Sequence, residues 1–280
     1  MNRIVLIISL FLISITGEAQ KNSPNFIPQP ESVQFFDGVF VLDQTTKVFV
    51  PKKFRGQLIP YVAEKIQSDL GLNLVYSYNG PDNGEKHILF KLEKKASLKE
   101  EGYLLEITPE SIVVIAKDYA GLFNGFQTLR QTFPLENTGE VRIPAMEVKD
   151  NPRFHWRGIM LDVSRHFQPK EFILKQIDVL SSYKVNKFHW HLTDDQGWRI
   201  EIKKYPKLTG KGAWRAERSG IAWWERKKAT AEEPKTVGGF YTQEEIKEVI
   251  AYAKVRNVDI IPEIDVPGHS KALVASYPEL

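Results

Sequence analysis

The chain has 280 residues, with 38 Lys+Arg against 35 Asp+Glu and no cysteine. A net charge of +3 without a dense basic tract gives no footing for nucleic-acid binding, and the lack of Cys excludes disulfides and thiolate metal sites. With 42% hydrophobic and 26% charged residues, the composition is that of an ordinary globular chain, long enough for one large domain or two smaller ones.

Arg3 and the apolar run from Ile4 to Ile15 precede Gly17-Glu18-Ala19, which places small residues before a cut at Gln20. This reads as a secretory signal peptide over residues 1–19. The run is short of the ~20 apolar residues that span a bilayer. No later segment is apolar enough to cross a membrane, and no Cys follows the run to carry a lipid. The expectation is a secreted or periplasmic protein with no membrane span after signal removal.

Three prolines (Pro24, Pro28, Pro30) mark an extended lead-in. Gly38 to Leu42 and Lys47 to Val50 read as strands, with Asp43 to Thr46 as the turn between them. Leu58, Ile59, Val62, Ile66 and Leu70 have helical spacing, and Gly71 stands where a C-terminal cap glycine belongs. His87 to Leu92 reads as a strand. Tyr103 to Ile107 and Ser111 to Ala116 read as a hairpin around Thr108-Pro109-Glu110. Asp118 then caps a helix whose inner face is Leu122, Phe123, Phe126, Leu129 and Phe133. Together these predict one mixed α/β domain. Ile143 to Pro152, with two prolines and no helical period, reads as the link to the next domain.

Beyond it the pattern is strand (Arg157 to Val163), helix (from Pro169, with Phe172, Ile173, Ile177 and Leu180 inward), and strand (Asn186 to Leu192). A long polar stretch occupies about 204 to 240. A helix opened by the capping box Thr242-Gln-Glu-Glu245 and a strand from Asp259 to Ile264 complete it. This β/α repetition implies a parallel sheet, and on pattern alone a doubly wound sheet and a (β/α)8 barrel fit equally.

Polar residues gather just past each of these strands: Arg165-His166, then Thr193-Asp194-Asp195-Gln-Gly-Trp198, then Asp265-Val-Pro-Gly-His269. Ligands of parallel α/β folds bind at the carboxyl ends of strands, so three such clusters are expected to converge. A lone His or Asp at such a place is more often a cap, and it is the triple recurrence that favours a site. His189 and His191 share one face of the second strand. They read as interior histidines of a core, against the alternative of a metal pair completed by Asp194, Asp195 or Asp265. Trp198, Trp214, Trp223 and Trp224 suit stacking on sugar rings, or plain packing.

Trp156-Arg-Gly-Ile-Met-Leu-Asp-Val-Ser-Arg-His-Phe167 resembles the first barrel strand of family 20 β-N-acetylhexosaminidases. Tyr183 to Ile200, with its Phe-His-Trp-His-Leu-Thr-Asp-Asp-Gln-Gly-Trp core, resembles the second, and Ile261-Pro-Glu-Ile-Asp-Val-Pro-Gly-His269 the third. The preceding α/β domain is similar to the family's N-terminal accessory domain. The resemblance implies an accessory domain over 20–150 and the N-terminal part of a catalytic domain over 151–280. The fold class is then a mixed α/β domain followed by the first three β/α units of an incomplete (β/α)8 TIM barrel.

What the family implies about activity is hydrolysis of terminal non-reducing N-acetylglucosamine or N-acetylgalactosamine from glycans, retaining and substrate-assisted, without metal or cofactor. The sugar's own 2-acetamido oxygen is the nucleophile. An Asp-Glu pair after the fourth strand orients the acetamido group and protonates the leaving oxygen. Carried over by motif, Arg165 binds hydroxyls of the terminal sugar. His269 holds the catalytic Glu with Asp194 behind it, and Asp265 supports the same substrate-binding network. Asp162, His166, Asp195 and Trp198 match the motifs and read as architectural. Leu280 follows His269 by eleven residues, and Glu279 does not match the pair's context. The expectation is a hexosaminidase sequence cut off before its general acid, with a non-catalytic carbohydrate-binding remnant and a metal-dependent hydrolase using His189 and His191 as the other readings.

Overall fold

The computed structural model describes residues 24–280 apart from 83, 95, 96, 136–139, 219, 228 and 231. The expected signal peptide, 1–19, lies outside the described residues.

The first half is a mixed sheet with two helices. In chain order it comprises β1 (Ser32–Leu42), β2 (Lys47–Phe49), α1 (Arg55–Leu70), β3 (Val75–Ser77), β4 (His87–Leu92), β5 (Tyr103–Ile107), β6 (Ser111–Ala116), α2 (Tyr119–Arg130) and β7 (Val141–Asp150). The seven strands stand in the order β1-β7-β5-β6-β4-β2-β3. Residues alternate between buried and half-buried along β5 and β6, the period of a sheet. Leu58, Val62 and Ile66 of α1 and Leu122, Phe126 and Leu129 of α2 are fully covered and join the strands in one core. Gly71 ends α1 in the left-handed region, at φ 71°, which glycine adopts without steric cost. Asp118 Oδ1 accepts from the Gly121 N–H at 2.7 Å, the expected cap of α2.

The turn at Asp43 to Thr46 forms, with the Thr46 N–H donating to the Asp43 carbonyl at 3.1 Å, but the strands it joins are not neighbours: β1 lies at one edge of the sheet and β2 near the other. One expectation is corrected. The supposed link from Ile143 to Pro152 is instead mostly β7, which pairs antiparallel with β1 along its length. Pairing of β7 with β5 starts only at Met146, so Pro144 sits where the strand has a single neighbour, and its missing N–H is tolerated there. The switch from one sheet to the next takes place over residues 151–157.

The second half contains β8 (Gly158–Asp162), α3 (Lys170–Ser182), β9 (Lys187–His191), the short pair β10 (Thr193–Asp194) and β11 (Gly197–Trp198), α4 (Lys207–Gly210), the short pair β12 (Trp214–Arg215) and β13 (Val237–Gly238), α5 (Gln243–Val255), β14 (Asp259–Glu263) and α6 (Lys271–Ser276). Strands β8, β9 and β14 are parallel, with β9 in the middle. Phe188 and Trp190 of β9 are buried in a core shared with Ile173 and Ile177 of α3 and Val249 and Ala253 of α5. The capping box forms, with Thr242 Oγ1 accepting from Glu245 N–H and the Glu245 carboxylate accepting from Thr242 N–H.

The alternate residues of the three strands share the opposite face. Register places Asp162, His191 and Glu263 in one row, with Met160, His189 and Ile261 in the row below. This geometry puts three ionisable groups side by side at the carboxyl ends of the strands.

A charged cluster ties the two halves together. Arg256, at the end of α5, donates to Asp178 Oδ1 at 2.8 Å and to Glu64 Oε1 of α1 at 2.9 Å. Lys65 Nζ donates to the other oxygen of Asp178 at 2.8 Å. Burial pushes the Asp178 carboxyl up, but the hydrogen bonds from Lys65 and Arg256 outweigh it and hold the group below its ordinary value. A depressed carboxylate stabilises the fold fully above its unfolded pKa and loses that contribution as pH falls toward the folded value. Asp178→Asn is therefore expected to lower the melting temperature at neutral pH, with the gap to the unaltered protein narrowing below about pH 4. Thermal melts across pH test this, and a gap independent of pH would contradict it.

Candidate active site

The site begins with a turn that the sequence fixes locally. Asp162 ends β8, and its Oδ1 accepts the backbone N–H groups of Ser164 at 2.9 Å and Arg165 at 3.0 Å. This folds the chain back so that Arg165 Nη1 donates to Asp162 Oδ2 at 2.9 Å. Arg165 Nη2 reaches Asp194 Oδ2 at 2.6 Å. The guanidinium thus spans two carboxylates from adjacent strand ends, and its side chain remains 37% exposed on the open side. A planar fork held in this way presents its remaining N–H donors in a fixed direction.

Asp194 is the hub. Its side chain is 1% exposed. Besides Arg165 it takes His191 Nε2 at 3.0 Å, His269 Nδ1 at 3.2 Å and the Asp195 backbone N–H at 2.6 Å. A buried carboxylate is costly unless paired on every side, and here each oxygen has partners. His269 sits in the left-handed region at φ 51°, an uncommon place for a residue with a Cβ. Its ring is 56% exposed, with Nδ1 directed at Asp194. Backbone strain of this kind concentrates where a side chain must be aimed.

His191 lies in the row between Asp162 and Glu263. Nε2 also lies 3.0 Å from Arg165 Nη1. Nδ1 lies 2.8 Å from Glu263 Oε2, an ion pair whose oxygen is off the N–H axis, since no aligned acceptor meets that nitrogen. Burial pushes the imidazole pKa down, but Glu263 and Asp194 more than reverse this and raise it. Glu263 is held below its ordinary value: burial opposes this, but His191 and His189 prevail. The ring thus forms a brace between two carboxylates, Asp194 at Nε2 and Glu263 at Nδ1. His189 Nε2 meets the same Glu263 oxygen at 2.5 Å.

The three expected clusters therefore do converge. Arg165, Asp194 and His269 are in direct contact. Asp265 places a carboxylate oxygen within 4.8 Å of ligand atoms of Asp194 and His269, and likewise of His191 and Glu263. It is anchored through its backbone, where its N–H donates to Thr193 Oγ1 at 3.0 Å. Asp195 works through α6, accepting from the Lys271 N–H at 3.1 Å, and so ties the loop after β9 to the loop after β14. Trp198 is packed against Leu208 and Ala272. His166 is exposed.

Two triplets have spacing that a metal ion could use, His191-Glu263-Asp265 and Asp194-Asp265-His269. The Arg165 guanidinium, 2.6 Å from Asp194, already supplies the positive charge a cation would bring to the second triplet, and His191 is spent on Asp194 and Glu263. The donor set therefore fits an Arg-carboxylate-His network better than a metal site. Glu263 is the carboxylate that both histidines share, and His191 also meets Asp194.

Two functional groups escape a reading by motif. Asp162 holds Arg165 directly, and Glu263 is the counter-charge of both histidines. The signal for them lies in counting residues along each parallel strand: Asp162, His191 and Glu263 occupy matching positions.

Against known families, residues 154–280 match the model of glycosyl hydrolase family 20, catalytic domain, and residues 23–151 match glycosyl hydrolase family 20, domain 2. The chain is 38% identical over 262 residues to the beta-hexosaminidase of Porphyromonas gingivalis, covering 91% of this chain and 32% of that protein. Its fold is similar to the crystal structure of the family 20 exo beta-N-acetylglucosaminidase of Vibrio harveyi in complex with N-acetylglucosamine, at TM-score 0.77 and 36% identity, over 91% of this chain and 38% of that one. It is similar also to the N-acetyl-beta-hexosaminidase of Streptomyces plicatus in complex with Thio-NAglucal, at TM-score 0.79 and 34% identity, over 91% and 48%. The chain spans about a third of the length of the curated relatives it matches.

Proposed function

The chain belongs to glycoside hydrolase family 20, and on that premise we propose that it is the front part of a β-N-acetylhexosaminidase, in which Arg165, Asp194, Asp265 and His269 form the wall that binds a terminal N-acetylhexosamine. The observation that carries this reading is the Arg165 guanidinium clamped between Asp162 and Asp194, at 2.9 and 2.6 Å, with His269 on the same Asp194.

Each residue has a task in this reading. Arg165 offers its free N–H donors to neighbouring hydroxyls of the terminal sugar, which an ammonium could not fix in one plane. His269, held through Nδ1, has Nε2 left to hold the general-acid Glu that the family places after the fourth strand. Asp194 anchors both. The reaction is retaining: the 2-acetamido carbonyl oxygen attacks C1, the leaving oxygen takes the proton of the Glu, and water opens the resulting oxazolinium. The apolar run Ile4 to Ile15 supports an exported protein. Among the described residues no helix is long and apolar enough to cross a membrane.

Among the described residues, three parallel strands stand where a closed barrel needs eight. We therefore expect the 280 residues, expressed alone and verified by mass, to give no turnover of a chromogenic N-acetylglucosaminide, while the protein at its native length hydrolyses it. Turnover by the isolated 280 residues would contradict the first expectation. N-acetylglucosamine binding without turnover at native length would favour a non-catalytic carbohydrate-binding protein instead.

A further inference from the structure

A cavity of about 870 Å³ lies away from the strand ends, in the crevice where the accessory sheet meets the segment leading into β8. Its floor is built from fixed groups. Lys184 Nζ donates to Tyr103 Oη at 2.9 Å and to Asp150 Oδ2 at 3.1 Å. Arg157 pairs with Glu101 and donates through Nε to the Lys184 carbonyl at 2.7 Å. At the rim, Asn151 accepts from the Lys99 N–H at 2.8 Å and donates to Glu31 at 2.7 Å. The walls are therefore held in place before any ligand arrives.

The charge balance is one-sided. Asp150 and Glu101 answer Lys184 and Arg157. Lys99, Lys117, Lys149 and Arg153 also line the cavity, and among the described residues none of the four has an ion-pair partner. Glu31 is the one lining carboxylate left to answer them. That leaves an excess of three positive charges in one crevice, as large as the net charge of the entire chain. Lys117 and Lys149 are half-buried, where an unanswered ammonium is least well hydrated. Beside the polar Gln29 and Ser97, the lining has a rigid apolar part in Pro28, Pro30, Pro152 and the exposed Phe154. An aromatic face beside fixed cations suits a ring that is apolar on its C–H face and anionic at its edge. The volume lies within the range of about 300–1,000 Å³ typical of small-molecule sites.

We propose that this crevice binds an acidic oligosaccharide, a short run of sugars carrying sulfate or carboxylate groups, at a point distinct from the Arg165 site. The need for an anion rests on the cavity itself, while the choice of a carbohydrate rests on the proposed function. The test uses the protein at native length, titrated calorimetrically with a chondroitin sulfate tetrasaccharide, with neutral chitotetraose, and with a short DNA duplex. The expected result is binding of the sulfated tetrasaccharide that weakens several-fold between low and physiological salt. The Lys117→Glu/Lys149→Glu pair should weaken it at least tenfold, and the milder Lys117→Gln/Lys149→Gln pair severalfold, with unchanged melting temperature in the milder pair. Arg165→Ala should leave it intact. No binding, undiminished binding by both double variants, equal affinity for the neutral tetrasaccharide, or DNA binding as tight as the sugar would each overturn the proposal. Hydrolysis of a neutral chromogenic substrate by the unaltered protein tests the enzymatic reading separately, so the two can fail independently.

Discussion

Arg165→Ala in the native-length protein is expected to lower kcat/KM by at least about a hundredfold. Two effects combine. Hydrogen bonds to charged groups contribute about 1.5–3 kcal/mol each, so loss of two donors to sugar hydroxyls alone corresponds to that factor or more. The substitution also strips Asp194, which is 1% exposed, of the guanidinium held at 2.6 Å. Removing one member of a buried charge pair costs about 3–5 kcal/mol when the other stays ionised, and His191 and His269 offset only part of that here. Arg165→Lys separates the two effects: it restores a charge near Asp194 and recovers stability, but a single ammonium cannot bridge Asp162, Asp194 and the sugar together. Steady-state kinetics with melting curves of both variants provide the check. An unchanged kcat/KM in Arg165→Ala would remove Arg165 from substrate binding.

The largest effect on stability is expected at Arg199, which has no exposed surface. Its guanidinium donates to the carbonyls of Ser164 at 2.7 Å, Val163 at 3.1 Å and Gly239 at 3.1 Å, and to that of Ala213. One side chain thus fastens the turn that carries Arg165 to the residues on either side of the β12–β13 pair. Gly197 leaves the space it occupies, since a Cβ there would lie 2.2 Å from the Arg199 guanidinium carbon. Burial pushes the Arg199 pKa down to about 10, so the group stays charged at neutral pH. Arg199→Met takes the guanidinium from four carbonyls, of which, among the described residues, only that of Ala213 keeps another donor, the Gly239 N–H, and each buried acceptor left unanswered costs about 1–3 kcal/mol. A loss of roughly 4 kcal/mol or more is expected, seen as a fall in melting temperature of about 10 °C. A shift within about 2 °C of zero, no more than about 1 kcal/mol would produce, would show that water satisfies these carbonyls instead.

Much of this arrangement is legible in the sequence because its signals are local. The capping box at Thr242, the cap at Asp118 and the glycine at 71 each depend on neighbours within a few residues, and all three form as expected. The α/β character of both halves follows from periodicity in the same way. What periodicity does not reveal is strand order. The Pro144 segment resembles a link because proline is rare inside sheets, yet its strand has one neighbour at that point. Nor does spacing show which strands will lie side by side: a four-residue turn suggests that β1 and β2 are adjacent, whereas β7, β5, β6 and β4 stand between them.

The site divides along the same line. The rule that ligands gather just past strand ends points to the three clusters, and the family resemblance picks Arg165, Asp194, Asp265 and His269 out of them. Asp162 and Glu263 lie further in, at the last residue of β8 and of β14. Their roles depend on the register that sets them beside His191, and register is a property of the folded sheet. Arg199 escapes sequence reasoning for a related reason, since an arginine in a polar stretch carries no mark that its four partners will be backbone carbonyls.

Whether the wall formed by Arg165, Asp194 and His269 receives a terminal N-acetylhexosamine is tested most directly by a crystal structure of the native-length protein soaked with N-acetylglucosamine. The expected result is the sugar with its hydroxyls on the Arg165 guanidinium and His269 facing a glutamate from the fourth strand. Sugar bound elsewhere, or a metal ion held by His191, Glu263 and Asp265 in place of it, would contradict that role.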